Sequence, residues 1–200
     1  LYPSLQPFPE KIRYCENLSA REQLQTVFRL TSIAQDSAIL DQTLADRGYR
    51  MDETSLVLST PLIAQPLHPD LNMLTLEEWL SVYCELTGMA EPARSLHGLI
   101  LNSIAGECGF GALMAGDKPV ACGLAVVERE LVGLFDIFTH PHARNAGHGA
   151  NIVKGLLAWA AGQGAARAYL QMVQDNHAAA ALYASLGFQE SYRYWYRIGA

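Results

Sequence analysis

The sequence predicts a mixed α/β (α+β) fold in which a mainly antiparallel central sheet is flanked by helices. Three runs of strand-forming residues, at about 108–115, 119–128 and 131–139, follow one another with only short turns between them, so they should be antiparallel neighbours. Helix and strand patterns then alternate to the end of the chain. Half of the 200 residues are hydrophobic and 17% are charged, which suffices for a substantial core.

Two helices are expected before these strands. Thr75-Leu76-Glu77-Glu78 has the pattern of a capping box, apolar residues follow at helical spacing as far as Leu86, and Gly88 ends the helix. A second helix is predicted near 93–105. The turns between the strands fall at Gly116-Asp117-Lys118-Pro119 and at Glu128-Arg129-Glu130.

The strands are followed by a helix that begins at a glycine-containing loop and ends near Gly162 and Gly164. Its apolar face comprises Ile152, Val153, Leu156, Leu157 and Ala160. A strand at 167–173, a helix at 177–186 and a last strand at about 189–198 complete the predicted order.

The loop Arg144-Asn145-Ala146-Gly147-His148-Gly149 connects the third strand to this helix. Glycines at a strand-to-helix turn let backbone N–H groups approach an anion closely, and the helix N-terminus adds a favourable dipole. The expected ligand is a phosphate or pyrophosphate. A plain capping role is the alternative for the loop taken by itself.

A second segment, Asn176-His177-Ala178-Ala179-Ala180-Ala181-Leu182-Tyr183-Ala184-Ser185-Leu186-Gly187-Phe188, lies about thirty residues downstream. Together the two segments resemble the acetyl-CoA site of the GNAT superfamily of N-acetyltransferases, which combines an Arg/Gln-x-x-Gly-x-Gly/Ala loop with an Asn-x-x-Ala-x-x-Leu-Tyr-x-x-x-Gly-Phe helix. The resemblance extends over about residues 70–198. It implies a GNAT-type acyl-CoA N-acyltransferase fold with acetyl-CoA as co-substrate.

The resemblance also implies which residues form the acetyl-CoA site. In this family the fourth strand bulges, and its free N–H groups face the acetyl carbonyl and the pantetheine amides. The corresponding acetyl-CoA-binding residues are Ile137, Phe138, Thr139, Arg144, Asn145, Ala146, Gly147, His148, Gly149, Ala150, Asn176 and Tyr183. Asn176 would bond the pantetheine or hold the start of its helix, and a pure N-cap is the alternative.

Tyr183 and Asp136 are the expected catalytic residues. A phenol is protonated at neutral pH, so Tyr183 can give a proton to the departing thiolate, although a packing role is the alternative. Asp136 lies on the strand where the family often keeps an acid that acts through water as general base. Weaker candidates for the base are Glu128, Glu130 and Glu190.

Other motifs favour less specific interpretations. His140, His142 and His148 surround a proline with no supporting cysteine or fixed carboxylate, so no metal site is expected. In Tyr192-Arg193-Tyr194-Trp195-Tyr196-Arg197 the residue types alternate with period two. One strand face therefore carries three tyrosines and the other carries Arg193, Trp195 and Arg197. The segment either lines the acceptor site or, more simply, consists of half-buried sheet residues.

Residues 1–69 are interpreted as a degenerate half-domain with the order helix-strand-helix-strand. It is read as a copy of the second half of residues 70–200, the N-acetyltransferase domain. When Gly48 is aligned with Gly187, Leu44 aligns with Tyr183 and Ser37 aligns with Asn176. The copy therefore lacks the polar residues of the site. An unrelated helix-strand extension is the alternative. The proline-rich stretch before Asp70 (Pro61, Pro66, Pro69) marks the expected boundary.

Composition limits the partners. A net charge of −6 argues against nucleic acid, and no apolar run is long enough to span a membrane. The first residues lack the features of a signal peptide, and four dispersed cysteines favour buried, reduced thiols in a cytoplasmic protein. We expect a monomer or homodimer that transfers acetyl groups to a primary amine. A catalytically silent acyl-CoA-binding or scaffolding domain is the alternative.

Overall fold

The computed structural model describes residues 6–63 and 70–199, which form helices and strands in the predicted order apart from two additional short strands. The helices, numbered along the chain, are α1 (Phe8–Arg21), α2 (Ser37–Asp46), α3 (Leu76–Thr87), α4 (Ala93–Asn102), α5 (His148–Gly162) and α6 (His177–Ser185). The strands are β1 (Val27–Thr31), β2 (Arg50–Met51), β3 (Ser55–Pro61), β4 (Leu71–Leu74), β5 (Glu107–Ala115), β6 (Lys118–Glu128), β7 (Leu131–Thr139), β8 (Arg167–Val173) and β9 (Gln189–Ile198).

Two short strands were not predicted from the sequence. β2 has only two residues, and β4 has four residues between Asp70 and the capping box of α3. Neither strand has a clear alternation of apolar and polar residues in its sequence. β4 is instead defined by its pairing with β5, from Leu71↔Leu113 to Leu74↔Phe110. Pro66 and Pro69 of the expected boundary lie outside the described residues, so a boundary at 69/70 stays a prediction.

The chain divides into two compact units. The first comprises the chain up to Val57 together with Met172–Asn176 and Glu190–Ala200. In this unit β1 runs antiparallel to β9, from Val27↔Ile198 to Thr31↔Tyr194, and β2 also pairs with β9. Its core is formed by Ile12, Leu30, Leu44 and Tyr49. The N-terminal segment thus adds strands to β9, whether or not it is a degenerate repeat.

Arg197, Trp195 and Asp41 form a polar cluster in this first unit. The Asp41 carboxylate accepts two hydrogen bonds from Arg197, each 2.8 Å long, and one from Trp195 Nε1 at 2.6 Å. The hydrogen bond from Arg197 holds the pKa of Asp41 below its usual value, although burial opposes this shift. Trp195 and Arg197 of β9 are half-buried and therefore hold β9 against α2 within the first unit.

Replacing Asp41 by Asn should lower the free energy of unfolding by about 2 kcal/mol, since hydrogen bonds to a charged group are lost. Because the pKa of Asp41 is lower in the folded state, its contribution is present above the ordinary value of 3.8 and is lost as the pH falls through the folded value. Urea denaturation between pH 7 and pH 3 should show that the difference in unfolding free energy between the two proteins narrows once the pH falls below 3.8. Asp46→Asn, an exposed change on the same helix, is the control and should shift stability by less than about 0.5 kcal/mol.

The second unit comprises Leu58–Gln171 and His177–Gln189. Its strands follow the order β3-β8-β7-β6-β5-β4, and β3 belongs to this unit from Leu58 onward. The pairs β4–β5, β5–β6 and β6–β7 are antiparallel, and β7–β8 is parallel. This is the mixed, mainly antiparallel sheet that the sequence predicts, with the three long strands as direct neighbours.

Helices cover both faces of this sheet. On one face α5 packs closely, because glycines of the sheet lie beneath it: a Cβ at Gly109 would lie 2.5 Å from the Trp159 ring, and one at Gly123 would lie 2.9 Å from Leu156 Cδ1. On the other face α3 places the fully buried Trp79 against the sheet, where its Nε1 donates a hydrogen bond to the Gly111 carbonyl at 3.2 Å.

All four cysteines are free, but the expectation that all are buried was wrong. Only Cys122 is buried, whereas Cys15, Cys84 and Cys108 are partly accessible. Within the described residues, no helix is both long and apolar enough to cross a bilayer.

Candidate functional site

A β-bulge interrupts β7 at Asp136. Cys122 pairs with Phe138 and Leu124 pairs with Phe135, so Gly123 alone faces the two residues Asp136 and Ile137. Asp136 accordingly adopts φ = 50°, in the left-handed region. The bulge turns the last part of β7 and carries the Asp136 carboxylate to the α3/α4 face of the sheet.

β7 and β8 separate just before this bulge. Their parallel pairing runs from Leu131↔Arg167 to Leu134↔Leu170, whereas β7 continues to Thr139. Within the described part of the chain, the backbone groups of β7 beyond Leu134 therefore have no strand partner on the β8 side. Ile137, Phe138 and Thr139 lie in this stretch and are half-buried.

The glycine loop forms the N-terminus of α5. Gly147 is the N-cap with φ = 83°, and Asn145 has φ = 61°. The first helical hydrogen bond is donated by the Asn151 N–H to the Gly147 carbonyl at 3.0 Å, and the helix has no side-chain cap. The N–H groups of His148, Gly149 and Ala150 thus have no partner within the helix. This is the geometry of an anion-binding helix N-terminus.

The loop, the end of β7 and α6 meet at Gly149. A Cβ at this position would lie 3.3 Å from Leu182 Cδ2 and 3.4 Å from Thr139 Oγ1. A larger residue would push the start of α5 away from both elements. Arg144 and Ala146 are exposed beside it, and Arg144 Nε donates a long hydrogen bond, 3.4 Å, to the Thr139 carbonyl. The structure thus brings together the loop, the strand end and the helix that the two motifs contain.

Tyr183 lies in α6 and is 8% exposed. Its ring packs edge-on against Phe188 with the centroids 5.7 Å apart, and burial raises the pKa of Tyr183. The phenol therefore keeps its proton at neutral pH. Asn176 immediately precedes α6 and belongs to the first unit.

The Asp136 carboxylate lies next to two side chains that the sequence did not single out, His97 of α4 and Tyr83 of α3. His97 Nε2 is 3.2 Å from Asp136 Oδ2 but is not aligned for a hydrogen bond, and it is buried with no other partner among the described residues. The Tyr83 ring stacks on the His97 ring at 5.2 Å. Burial, the Asp136 charge and a hydrogen bond to Asp136 raise the pKa of Tyr83 to about 12, so Tyr83 is the donor.

A cavity of about 740 Å³ opens beside Asp136 on the same face of the sheet. We refer to it as the apolar trough, because most of the side chains that enclose it are hydrocarbon or aromatic. These are chiefly Ile100, Ile104, Leu124, Val126, Phe135 and Tyr169.

One sequence signal could have identified His97. It is the only titratable residue in the apolar run Leu96-His97-Gly98-Leu99-Ile100 of α4. A Cβ at Gly98 would lie 3.1 Å from Leu80 Cδ2, so the two helices approach closely there. Tyr83 carries no comparable signal, because an aromatic residue at helical spacing is typical of any core.

The other predicted residues are placed as follows. Glu128 and Glu130 line the trough at the β6–β7 turn, whereas Glu190 forms an ion pair with Arg193 at 2.8 Å. The His140 and His142 rings contact each other at 5.3 Å. No group of three potential metal ligands occurs in the portion of the chain that the structure covers.

The bulged strand, the separated strands and the glycine loop at a helix N-terminus define an acyl-CoA N-acyltransferase fold of the GNAT class. Comparison with known families agrees with this. The chain belongs to the family described as the C-terminal part of the probable histone acetyltransferase Rv0428c, which it matches over residues 17–197.

Individual relatives are more distant. The chain is 27% identical over 120 residues to the uncharacterized N-acetyltransferase YobR of Bacillus subtilis (strain 168), and this alignment covers 60% of the chain and 49% of YobR. The chain therefore spans about half the length of that relative.

Solved structures show the same fold. A GCN5-related N-acetyltransferase from Sphaerobacter thermophilus superposes with a TM-score of 0.71 at 13% identity, covering 96% of this chain and 67% of its own. The structure of AAC(6')-Iy in complex with the bisubstrate analog CoA-S-monomethyl-acetylneamine has a TM-score of 0.52 at 18% identity, covering 61% of this chain and 91% of its own.

Proposed function

We propose that this protein is an acetyl-CoA-dependent N-acetyltransferase that moves the acetyl group to a primary amine. The observation that carries the proposal is the continuity of three features in one unit: the α5 N-terminus, the open edge of β7 and the bulge at Asp136. Together they offer an anion site, backbone donors and a carboxylate in that order. Family membership and the CoA analog bound to a protein of the same fold support the same function.

In this proposal, the pyrophosphate binds the N–H groups at the start of α5. The pantetheine enters where β7 and β8 separate, and backbone N–H groups of Ile137, Phe138 and Thr139 face its amides and the acetyl carbonyl. Such preorganised donors typically contribute about 3 kcal/mol each to transition-state stabilisation. Because these groups belong to the backbone, their side chains are free to be apolar.

The acetyl group is transferred directly within a ternary complex. The amine nitrogen attacks the thioester carbon, the C–N bond forms, and the C–S bond breaks as the tetrahedral intermediate collapses. Asp136 accepts a proton from the amine, directly or through a water molecule, and Tyr183 gives a proton to the thiolate. The buried Nε2 of His97, which lacks a hydrogen bond, lies where it can bond the same water or amine.

A covalent route through Cys122 is disfavoured. Burial and the Asp136 charge raise the pKa of the Cys122 thiol to about 12, so almost none of it is thiolate at neutral pH. Since the thiolate is the nucleophilic form, an acetyl-cysteine intermediate at this position would form slowly. This supports direct attack by the amine.

Asp136→Asn should lower kcat/KM for a strongly basic amine by about 10²-fold at pH 7, within the range for loss of a general base. Asparagine suits this test because it tolerates the left-handed conformation of Asp136. The deficit should shrink as the pH rises, because a growing fraction of the amine is already neutral. An equal deficit at pH 7 and pH 10 would show that Asp136 acts otherwise than as a base.

The function itself is tested by incubating the protein with acetyl-CoA and a panel of primary amines and measuring free thiol release. Amine-dependent release supports the proposal. Tight acetyl-CoA binding without release for any amine would instead favour the silent acyl-CoA-binding alternative, for which the structure offers no specific feature.

We further propose that residues 1–69 are a degenerate half-domain without an acetyl-CoA site of their own. Ser37, which stands at the position of Asn176 in the proposed repeat, is buried and donates its hydroxyl to the Thr31 carbonyl. Leu44, at the position of Tyr183, is fully buried. Both are therefore committed to the core of the first unit, which supports one acetyl-CoA site per chain.

A further inference from the structure

The apolar trough extends from the bulge to the β6–β7 turn. Asp136 and Leu131 both line it and are separated by five positions on β7, which corresponds to roughly 16 Å along a strand. Its volume of about 740 Å³ lies within the range of sites that enclose small organic ligands. The trough is therefore long enough for a ligand larger than a bare amine.

The charges of the trough are at its two ends. Asp136, with His97 beside it, stands at the inner end, and Glu128, Arg129 and Glu130 stand at the turn. Between them the walls are hydrocarbon and aromatic, and no lining side chain next to Asp136 carries a permanent positive charge. An ammonium group is thus favoured at the inner end, whereas a carboxylate beside it would meet Asp136 unpaired.

Some of the apolar side chains that line the trough are exposed to solvent. Ile100 is 54% exposed and Leu131 is 46% exposed, and both line the trough. Water in contact with this surface would be released by an apolar ligand, which provides a driving force that a polar ligand lacks. Gly133 makes room for the Phe135 and Tyr169 rings that line the trough, since a Cβ there would lie 2.5 Å from the Phe135 ring.

We infer that the acceptor is a small primary amine on an apolar body, an alkylamine or arylalkylamine without a carboxylate next to the nitrogen. The body occupies the apolar trough, and the amine reaches Asp136 at its inner end. This inference rests on the proposed function, because it names the acceptor for the same site. It disfavours polyamines, free amino acids and the lysine side chains of polar peptides as acceptors.

Matched pairs of amines test this inference with acetyl-CoA and thiol release. Tryptamine should exceed tryptophan in kcat/KM by at least 100-fold, because the two differ only in the carboxylate. Pentylamine should exceed 1,5-diaminopentane by at least tenfold, and lengthening the chain from ethylamine to pentylamine should raise kcat/KM by about fourfold per methylene. A polar lysine peptide or tryptophan that matches tryptamine would overturn the inference.

Two adjacent residues of α4 provide matched variants. Ile100→Glu places a charge in the wall of the trough and should lower kcat/KM for tryptamine at least tenfold. Leu99→Glu is the control, because Leu99 is 70% exposed and does not line the trough. Equal effects of the two variants on tryptamine would contradict the assignment.

Calorimetry separates failure of the inference from failure of the proposed function. If acetyl-CoA does not bind, or if no amine releases thiol, the proposed function fails. The trough is still supported as an amine site if tryptamine binds, Ile100→Glu weakens that binding and Leu99→Glu leaves it intact. If acetyl-CoA binds and polyamines, free amino acids or polar lysine peptides are acetylated better than tryptamine and pentylamine, the inference alone is wrong.

Discussion

Gly147→Glu is expected to weaken acetyl-CoA binding by at least 100-fold. Gly147 is the N-cap of α5, and among the described residues other than its chain neighbours no atom lies within 4 Å of the position of its missing Cβ. In the proposed complex that open space holds the pyrophosphate, so the variant places a carboxylate where negative charge must bind. Titration calorimetry should show one acetyl-CoA per chain for the parent protein and no measurable binding for the variant.

Backbone strain has to be separated from this effect, because Gly147 has φ = 83° and any other residue there costs about 1–2 kcal/mol. Gly164→Glu is a matched control: Gly164 has φ = 90°, equally open surroundings and a position beyond the opposite end of α5. It should lose similar stability and keep its affinity for acetyl-CoA. Unchanged affinity in Gly147→Glu would remove the loop from the site.

Tyr183→Phe is expected to lower kcat by roughly 10²–10³ while leaving acetyl-CoA affinity nearly unchanged. The ring and its edge-on contact with Phe188 are retained, and only the proton donor is deleted. An interaction made only as charge develops on sulfur lowers kcat without weakening ground-state binding. Steady-state rates with a confirmed acceptor, together with a pre-steady-state check that chemistry limits turnover, provide the measurement.

Tyr49→Phe is the control for this experiment, since Tyr49 is also buried but belongs to the first unit, where its hydroxyl donates to Glu16 at 3.0 Å. It should reduce stability and leave kcat within about twofold of the parent. If the Tyr183→Phe variant turns over at the parent rate, Tyr183 has only a packing role. The thiolate then departs without a proton from this side chain.

Much of the fold could be predicted because its signals are local. The capping box of α3, the three strands with short turns and the glycines around α5 each act within a few residues of sequence, and the helices and strands lie where they indicate. β4 could not be predicted in this way, because four half-exposed residues acquire their strand conformation only by pairing with β5.

The candidate site was predictable only in part. The loop and the α6 motif are contiguous patterns, whereas the surroundings of Asp136 come from α3, α4 and β7, which are distant in sequence. His97 meets Asp136 through the packing of α4 on the sheet, and the Phe135 and Tyr169 rings take their places in the wall of the trough because Gly133 has no Cβ. Shape of this kind depends on tertiary packing and has no one-dimensional pattern.

The pairing of β1 with β9 joins two segments that are far apart in sequence. Val27 is the partner of Ile198, so the first unit can form only after Ile198 has been synthesised. A ribosome would release the N-terminal helices and β1 long before the strand that completes their sheet. During synthesis, the edge of β1 is therefore unpaired until β9 has been made. In that interval the edge is open to pairing with other chains.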